Sequence, residues 1–145
     1  MKKLMLFVFF CSLFFIKEAN CQTSEIHAIE QTIKLYFEGM IERDRSKLDS
    51  AFDPAARLIG YRGEQFTITP YEEWASGTAK GSPRNPAEYD NHIMSIEIKG
   101  YTALAKTELF WPGIYYFDYL TLIKIEGQWK IIHKTWYEEK TNSNL

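Results

Sequence analysis

The stretch that decides the fold lies in the last third of the chain and reads YYFDYLTLIKIEGQWKIIHKTWYE, Tyr115–Glu138. Two arms rich in aromatic and β-branched residues meet at Glu126-Gly127. Glycine at such a position favours a tight turn between antiparallel strands. The stretch therefore predicts a long β-hairpin.

Two more segments with the composition of strands, residues 89–98 and 102–111, precede this hairpin. The links between successive segments are two or three residues long and contain glycine, and links this short join antiparallel neighbours. Earlier in the chain, residues 56–61 and 65–68 form a second candidate hairpin. The sequence therefore predicts a mainly antiparallel sheet of four to six strands.

The residues that follow Ser24 have helical periodicity. Apolar side chains recur at steps of three and four, which places them on one face of a helix. A second helix is predicted over 45–52 with Asp44 as its cap. The apolar stripe of the first helix comprises Ile26, Ile29, Ile33, Tyr36, Phe37, Met40 and Ile41.

A third helix is predicted to begin at Pro70, with Thr69 as its cap and Glu72 closing a capping box. Three helices followed by an antiparallel meander indicate an α+β domain, with the helices gathered on one face of the sheet. A strongly curved sheet closed over the first helix would leave a conical space between them.

The first 21 residues read MKKLMLFVFFCSLFFIKEANC. A basic start, an apolar core over 4–16 and small residues before Cys21 are typical of a secretory signal peptide. The apolar core is shorter than the roughly 20 residues of a membrane-spanning helix. We expect cleavage near Cys21, export to the periplasm or beyond, and one domain over 22–145. Lipid attachment at Cys21 is the alternative, which Glu18 and Asn20 disfavour.

The composition excludes several classes of protein. The net charge is −2, and no basic stripe suited to nucleic acid is present. Cys11 and Cys21 both fall within the predicted signal peptide, so no disulfide stabilises the remaining domain. Aromatic residues make up 16% of the chain, which is enough to line a cavity as well as fill a core.

The order of elements, and the run FDYL at 117–120 with KIEGQWKI at 124–131, resembles the nuclear transport factor 2-like superfamily. Within it, the chain is most similar to the small bacterial proteins called putative lumazine-binding. The resemblance covers residues 24–138 and implies the cone-shaped fold of SnoaL-like and ketosteroid-isomerase-like proteins. It does not imply one activity, since this superfamily includes isomerases, cyclases, dehydratases, hydrolases and proteins without catalysis.

The ketosteroid isomerase branch allows a comparison of residues. The first helix pair of that branch resembles residues 33–52 without a gap, and this register places Tyr36 where the branch keeps its oxyanion-stabilising tyrosine. The same register places Gly60 where the branch keeps its catalytic aspartate. Because glycine cannot accept a proton, the resemblance implies no isomerase chemistry by that route.

The catalytic candidates are Tyr36, Asp118 and His133. Tyr36 could donate a hydrogen bond to a ligand oxygen, or be a core tyrosine bonded to a backbone carbonyl. Asp118 could be a buried base, or an outward carboxylate near Lys124 or Lys134 or at an interface. The lumazine-type pattern carries an aspartate at this position, which favours a function.

His92 and His133 are suited to proton transfer near neutral pH and are predicted to line the cavity, although a structural histidine is the commoner outcome. His27 is predicted to lie on the surface. A single bulge in the last strand would reverse which of its faces lines the cavity. The predicted ligand-binding residues are Tyr36, Tyr61, Trp74, His92 and His133.

Three functions remain open on the sequence alone. The first is an exported domain that binds a small hydrophobic or aromatic molecule in the conical pocket. The second is a general acid/base isomerase- or cyclase-like enzyme that uses Tyr36 with His133 or Asp118. The third is a homodimeric structural module, paired through a convex sheet face that carries Leu120, Leu122 and Ile132. No cofactor and no metal site is predicted, because the sequence lacks metal-ligand spacings and nucleophile motifs.

Overall fold

The structure is a computed structural model that describes the backbone of residues 2–141 and the side chains of residues 22–141. The side chains of the predicted signal peptide and of Cys21 lie outside the described residues. The cleavage site therefore stays a prediction. Within the described part, no helix is both long enough and apolar enough to cross a membrane.

Three helices pack on the sheet, and one short 3-10 turn precedes the third strand. They are α1 (Lys2–Glu42), α2 (Arg45–Ala51), α3 (Tyr71–Thr78) and the 3-10 turn Pro86–Glu88. The Asp44 carboxylate caps α2 as predicted, since it accepts hydrogen bonds from the backbone amides of Ser46 at 2.8 Å and Lys47 at 3.3 Å.

The predicted capping box of α3 is wrong. Pro70 occupies the cap position and no side chain bonds to the exposed amides there. Glu72 instead binds the guanidinium of Arg45, at 2.5 and 3.1 Å. The Glu72 carboxylate, which the local sequence pattern assigned to the start of α3, therefore binds Arg45 instead.

Six strands form one mixed sheet in the order β2-β1-β6-β5-β4-β3. All neighbours are antiparallel except β1 and β6, which are parallel. The prediction of an α+β fold with a mainly antiparallel sheet is confirmed. The strands are β1 (Phe52–Arg62), β2 (Gln65–Pro70), β3 (Asp90–Lys99), β4 (Thr102–Trp111), β5 (Ile114–Ile125) and β6 (Gln128–Lys140).

The long hairpin is present as predicted, with β5 and β6 joined by Glu126-Gly127. Both turn residues have positive φ, 49° at Glu126 and 83° at Gly127. A two-residue turn of this kind matches the right-handed twist of the strands it connects.

A bulge in β6 decides which side chains face the helices. Thr121 pairs with His133 and Leu122 pairs with Ile131, so Ile132 is an extra residue in the ladder. Before the bulge, Ile131 is buried; after it, Lys134 is buried in its place. The bulge thus changes the alternation of β6 by one residue and turns His133 away from the helices.

The core lies between the stripe of α1 and the inner face of β4, β5 and β6. Leu120 and Leu122 are fully buried there, so their predicted place on a convex dimer face is wrong. The face of β5 that carries Leu120 and Leu122 is thus the inner face of the sheet. The fully buried side chains of the core include Ile29, Ile33, Tyr36, Leu48, Phe52, Leu109, Leu120, Leu122 and Ile131.

Candidate functional site

A cavity of about 520 Å³ opens between α1, α3 and the inner face of the sheet. This volume lies within the range of pockets that hold small molecules. Its lining is mixed, with aromatic side chains, threonine hydroxyls and several charged groups. The lining residues that matter for its chemistry are Tyr36, Arg43, Arg62, Glu73, Trp74, Arg84, Trp111, Tyr116, Lys134, Trp136 and Glu138.

At the inner wall of this cavity, three polar side chains form a closed triangle. The Tyr36 hydroxyl donates to Asp118 Oδ2 at 2.7 Å, and Lys134 Nζ donates to the same oxygen at 2.8 Å. Lys134 Nζ also donates to the Tyr36 hydroxyl oxygen at 2.5 Å. We call these three residues the triad. Tyr36 and Lys134 border the cavity, whereas Asp118 lies behind them and is fully buried.

Each member of the triad reaches this place through a different element. Tyr36 belongs to the apolar stripe of α1, and Asp118 lies on the inner face of β5. Lys134 lies on β6 beside Leu120, two residues beyond the bulge at Ile132. Without the extra residue, the alternation of β6 would turn the lysine outward and separate it from Asp118.

Electrostatics keep the phenol of the triad protonated. Burial, and then the neighbouring Asp118 carboxylate, raise the pKa of Tyr36 well above its ordinary value. A buried ion pair such as Lys134–Asp118 carries a large desolvation penalty, so its presence is weak evidence for stability. Within the described residues, Asp118 Oδ1 has no hydrogen-bond partner. These observations make the triad a candidate functional site.

Aromatic rings enclose the triad. Lys134 Nζ lies 5.0 Å from the ring centroid of Tyr36 and 5.9 Å from that of Trp136, a cation–π arrangement. Trp74 of α3 packs 6.1 Å from the ring of Tyr36. The rings supply flat apolar surface next to the lysine ammonium, which suits a planar ligand that carries a polar atom.

The lysine ammonium has one donor left for a ligand. An ammonium group has three N–H donors, and Tyr36 and Asp118 accept two of them. Because Lys134 borders the cavity, the third can serve a ligand oxygen. The triad can therefore hold or polarise a carbonyl, or stabilise an oxyanion.

Of the residues predicted to bind a ligand, Tyr36 and Trp74 line the cavity. The other three, Tyr61, His92 and His133, do not. Tyr61 is 58% exposed and packs against Phe66 across the β1–β2 hairpin.

The two histidines lie on the outer side of the sheet. His92 Nε2 lies 2.9 Å from Asp90 Oδ2, and the imidazole packs against the ring of Phe110. His133 pairs with Thr121, whose neighbours Leu120 and Leu122 face inward. The bulge in β6 is the reason that His133 is outside.

The indole ring of Trp136 fills the space beside Gly60, the position at which the isomerase branch keeps its catalytic aspartate. A Cβ on Gly60 would lie 2.7 Å from the indole of Trp136. Glycine is thus needed here for the close approach of the indole, which itself lines the cavity.

Sequence reasoning did not select Lys134 as a functional residue. It considered Lys134 only as a surface partner of an outward Asp118, and the pair is instead buried. The available signal was a lysine on a strand whose alternate residues are apolar. Because the bulge shifts this alternation by one residue, the sequence did not show that the lysine faces inward. The cavity residue Arg84 was also missed as a member of the site, because it lies between α3 and the 3-10 turn, outside any periodic pattern.

Metal ligation has no geometric basis in the part of the chain whose side chains are described. No group of three or more His, Cys, Asp or Glu residues lies close enough to hold an ion there.

Comparison with known proteins agrees with this architecture. Residues 24–137 match the family described as putative lumazine-binding. The chain belongs to this putative lumazine-binding family. The matched segment contains all three residues of the triad.

Solved structures with the same fold include two nuclear transport factor 2-like proteins of unknown function. The protein from Silicibacter pomeroyi DSS-3 is 21% identical, and the match covers 81% of this chain and 98% of that one, with a TM-score of 0.75. The protein from Shewanella baltica OS155 is 25% identical, covering 82% and 97% of the two chains, with a TM-score of 0.74. These likenesses show that the domain is nuclear transport factor 2-like.

A curated relative is a Cladobotryum protein named aldolase FrzH. It is 26% identical over 120 residues, which span 79% of this chain and 92% of that protein.

Proposed function

We propose that this protein is an exported small-molecule-binding domain that holds a planar, carbonyl-bearing molecule in the cavity. The observation that carries the proposal is the triad, because it presents a buried ammonium donor at the wall of an aromatic cavity. A carbonyl oxygen would accept the remaining N–H of Lys134, and the rings of Trp74 and Trp136 would contact the faces of the ligand.

The family description supports the choice of a first probe. Lumazine is planar and carries two ring carbonyls, so we would titrate it into the protein and follow the heat of binding. Binding should weaken by about tenfold or more in K134M, since a charge-assisted hydrogen bond is lost. Lys130→Met is the matched control, because Lys130 lies on the same strand but donates to the backbone of α2. Equal affinities in wild type and K134M for lumazine and for a panel of bicyclic ketones would refute the proposal.

Native mass spectrometry of the protein purified from its own host tests the same proposal without a chosen probe. A retained small molecule should be present in wild type and reduced in K134M. The same spectra report the oligomeric state.

A second candidate function is general acid/base catalysis at a carbon next to a carbonyl. The hydrogen bond from Tyr36 to Asp118 favours it, and the aldolase name of the Cladobotryum relative is consistent with it. Tyr36 Oη would act as the base that breaks the C–H bond at the α-carbon. The electron pair of that bond would move to the carbonyl oxygen beside Lys134. The proton would pass to Tyr36 Oη while the Tyr36 proton passes to Asp118 Oδ2.

This relay does not require a free phenolate, which the raised pKa of Tyr36 opposes. Its direct readout is exchange of α-hydrogen for deuterium in a bicyclic ketone such as 2-tetralone, measured by NMR. Y36F should bind the ketone and lose the exchange, whereas K134M should lose both. Exchange at an unchanged rate in Y36F would eliminate the relay.

We further propose that two copies associate through the outer face of the sheet. Apolar side chains on β4, β5 and β6 form one exposed patch there, with Leu104 36%, Tyr119 45% and Tyr137 57% exposed. The aromatic part of the patch is continuous, since Phe117 contacts Tyr119 at 5.1 Å between ring centroids and pairs with Tyr137. A second copy would cover it symmetrically.

Sedimentation equilibrium tests this association. Wild type should be a dimer and Tyr119→Glu a monomer, with lumazine affinity unchanged because the cavity is on the other side of the sheet. A wild-type monomer at high concentration would contradict the association.

We also propose export after cleavage near Cys21, supported by the basic start and apolar core of the first 21 residues. N-terminal sequencing of the mature protein from its host gives the cleavage site. Membrane retention that is abolished by Cys21→Ser would show lipid attachment instead of simple export.

A further inference from the structure

The cavity contains three arginines that lack an ion-pair partner. Arg43, Arg62 and Arg84 line it, and none of them forms a salt bridge with any described residue. Arg45, outside the cavity, binds both Asp49 and Glu72. The difference indicates that the cavity arginines are not present to bind carboxylates of this chain.

Arg84 is half-buried and packs against aromatic rings. Its guanidinium lies 4.9 Å from the ring centroid of Trp111 and 5.9 Å from that of Tyr89, so one face is covered by aromatic surface. One of its N–H groups donates to the backbone carbonyl of Met40. Guanidinium has five donors, which leaves several for a ligand.

Arg43 places a second positive charge beside the first. Its side chain donates to the backbone carbonyls of Thr78 at 2.9 Å and Ser82 at 3.1 Å, which fixes it at the edge of the cavity. Burial, and then the charge of Arg43, lower the pKa of Arg84. Two neighbouring cations without a counter-charge would be stabilised by an anion.

The acidic groups of the cavity do not neutralise this pair. Neither Glu73 nor Glu138 forms an ion pair with an arginine, and Glu138 accepts instead from the backbone amide of Gly63 at 2.9 Å. The positive wall formed by Arg43 and Arg84 is therefore distinct from the triad, where Lys134 is matched by Asp118.

We propose that Arg84, supported by Arg43, forms an anion subsite for the carboxylate of an aromatic acid, in the same cavity as the triad. The proposal rests on the proposed binding function and specifies its ligand class. A planar ring would lie among the cavity aromatics, its carbonyl near Lys134 and its carboxylate against Arg84, whose planar fork matches two carboxylate oxygens.

The test compares matched acid and amide pairs, 2-naphthoate with 2-naphthamide and benzoate with benzamide, by quenching of tryptophan fluorescence. Wild type should bind the better acid about ten- to hundredfold more tightly than its amide, since charge-assisted hydrogen bonds are lost in the amide. R84Q should remove most of this preference and R84K should retain part of it. Arg57→Gln is the control, because Arg57 is exposed and bonds only to the backbone of Ala55 and Ala56.

Thermal denaturation of each variant confirms that it is folded, and R43Q gives a second reading if R84Q is not. The subsite is overturned if wild type binds acid and amide equally, if it binds no acid of the panel, or if R57Q reduces the preference as much as R84Q does. These failures leave the proposed function standing when lumazine or ketone binding still depends on Lys134. Loss of that dependence would instead refute the proposed function.

Discussion

Replacing the ion pair of the triad, one partner at a time and then both together, tests how this site is built. The Lys134–Asp118 contact is 2.8 Å and both side chains are buried. At the effective dielectric constant of about 20 that suits protein charges, this attraction is worth about 6 kcal/mol. Desolvation costs several kcal/mol for each ion, so the pair contributes little net stability.

Removing one partner leaves the desolvation penalty of the other. K134M leaves a fully buried carboxylate, and we expect a loss of about 3–5 kcal/mol in the free energy of unfolding. D118N leaves an ammonium that borders the cavity and can be hydrated there, so its cost should fall at the lower end, about 3 kcal/mol. The double variant leaves no unpaired charge and keeps an acceptor for Tyr36, so it should cost about 1–2 kcal/mol, less than either single change.

Urea unfolding at pH 7, followed by tryptophan fluorescence, measures all four proteins. The slope against urea should stay constant, so that the midpoints report stability. Lys47→Met is the control, since Lys47 binds Glu38 and Glu42 on the surface, and its midpoint should stay close to that of wild type. A double variant that costs the sum of the two single changes would refute the coupling and, with it, the desolvated triad.

Two further predictions concern stability. Thr32→Val should cost about 1 kcal/mol, because the Thr32 hydroxyl donates to the Trp129 carbonyl at 3.1 Å. Thr107→Val should change stability by less than about 0.5 kcal/mol, because Thr107 Oγ1 has no hydrogen-bond partner among the described residues. Urea unfolding measures both variants, and an equal loss of stability at the two positions would contradict this contrast. Hydrogen bonds from Lys124 and then Trp129 lower the pKa of Glu25 in the folded state. The contribution of Glu25 to folding stability is therefore present above its ordinary pKa of 4.5, and it is lost as the pH falls through the lower pKa of the folded state. E25Q should therefore flatten the fall in melting temperature between about pH 5 and pH 3. A fall as steep as in wild type, or equal flattening in an E30Q control, would count against that assignment.

The last four strands could be predicted closely from the sequence, because their signals are local, whereas β1 begins four residues before its predicted start at 56. The β4 range was predicted without error, and the hairpin turn was placed on the two residues that adopt positive φ. Glycine at the turn and alternation within each arm depend only on neighbours in the chain. The α3 capping box failed because its outcome depends on Arg45, which is distant in sequence from Glu72.

The site could be predicted only in part, because its charged members are buried by pairing. Tyr36 was selected from its place on the helical stripe. Asp118 was selected as a candidate with its burial left open, whereas Lys134 was not selected. Only the contact between the two side chains makes the burial of their charges tolerable. The bulge at Ile132, which brings Lys134 inward, has no signature in the residues around it.

The contact between Gly60 and Trp136 limits how the pocket can change. Since the indole occupies the space of any side chain at position 60, an acid can be introduced there only if the tryptophan is replaced first or at the same time. The order of substitutions therefore matters. If residues change one at a time, the first change is at Trp136 on β6. A chain of this kind would lose one wall of its cavity before it could acquire a carboxylate at position 60, so the two arrangements are alternative solutions rather than successive refinements.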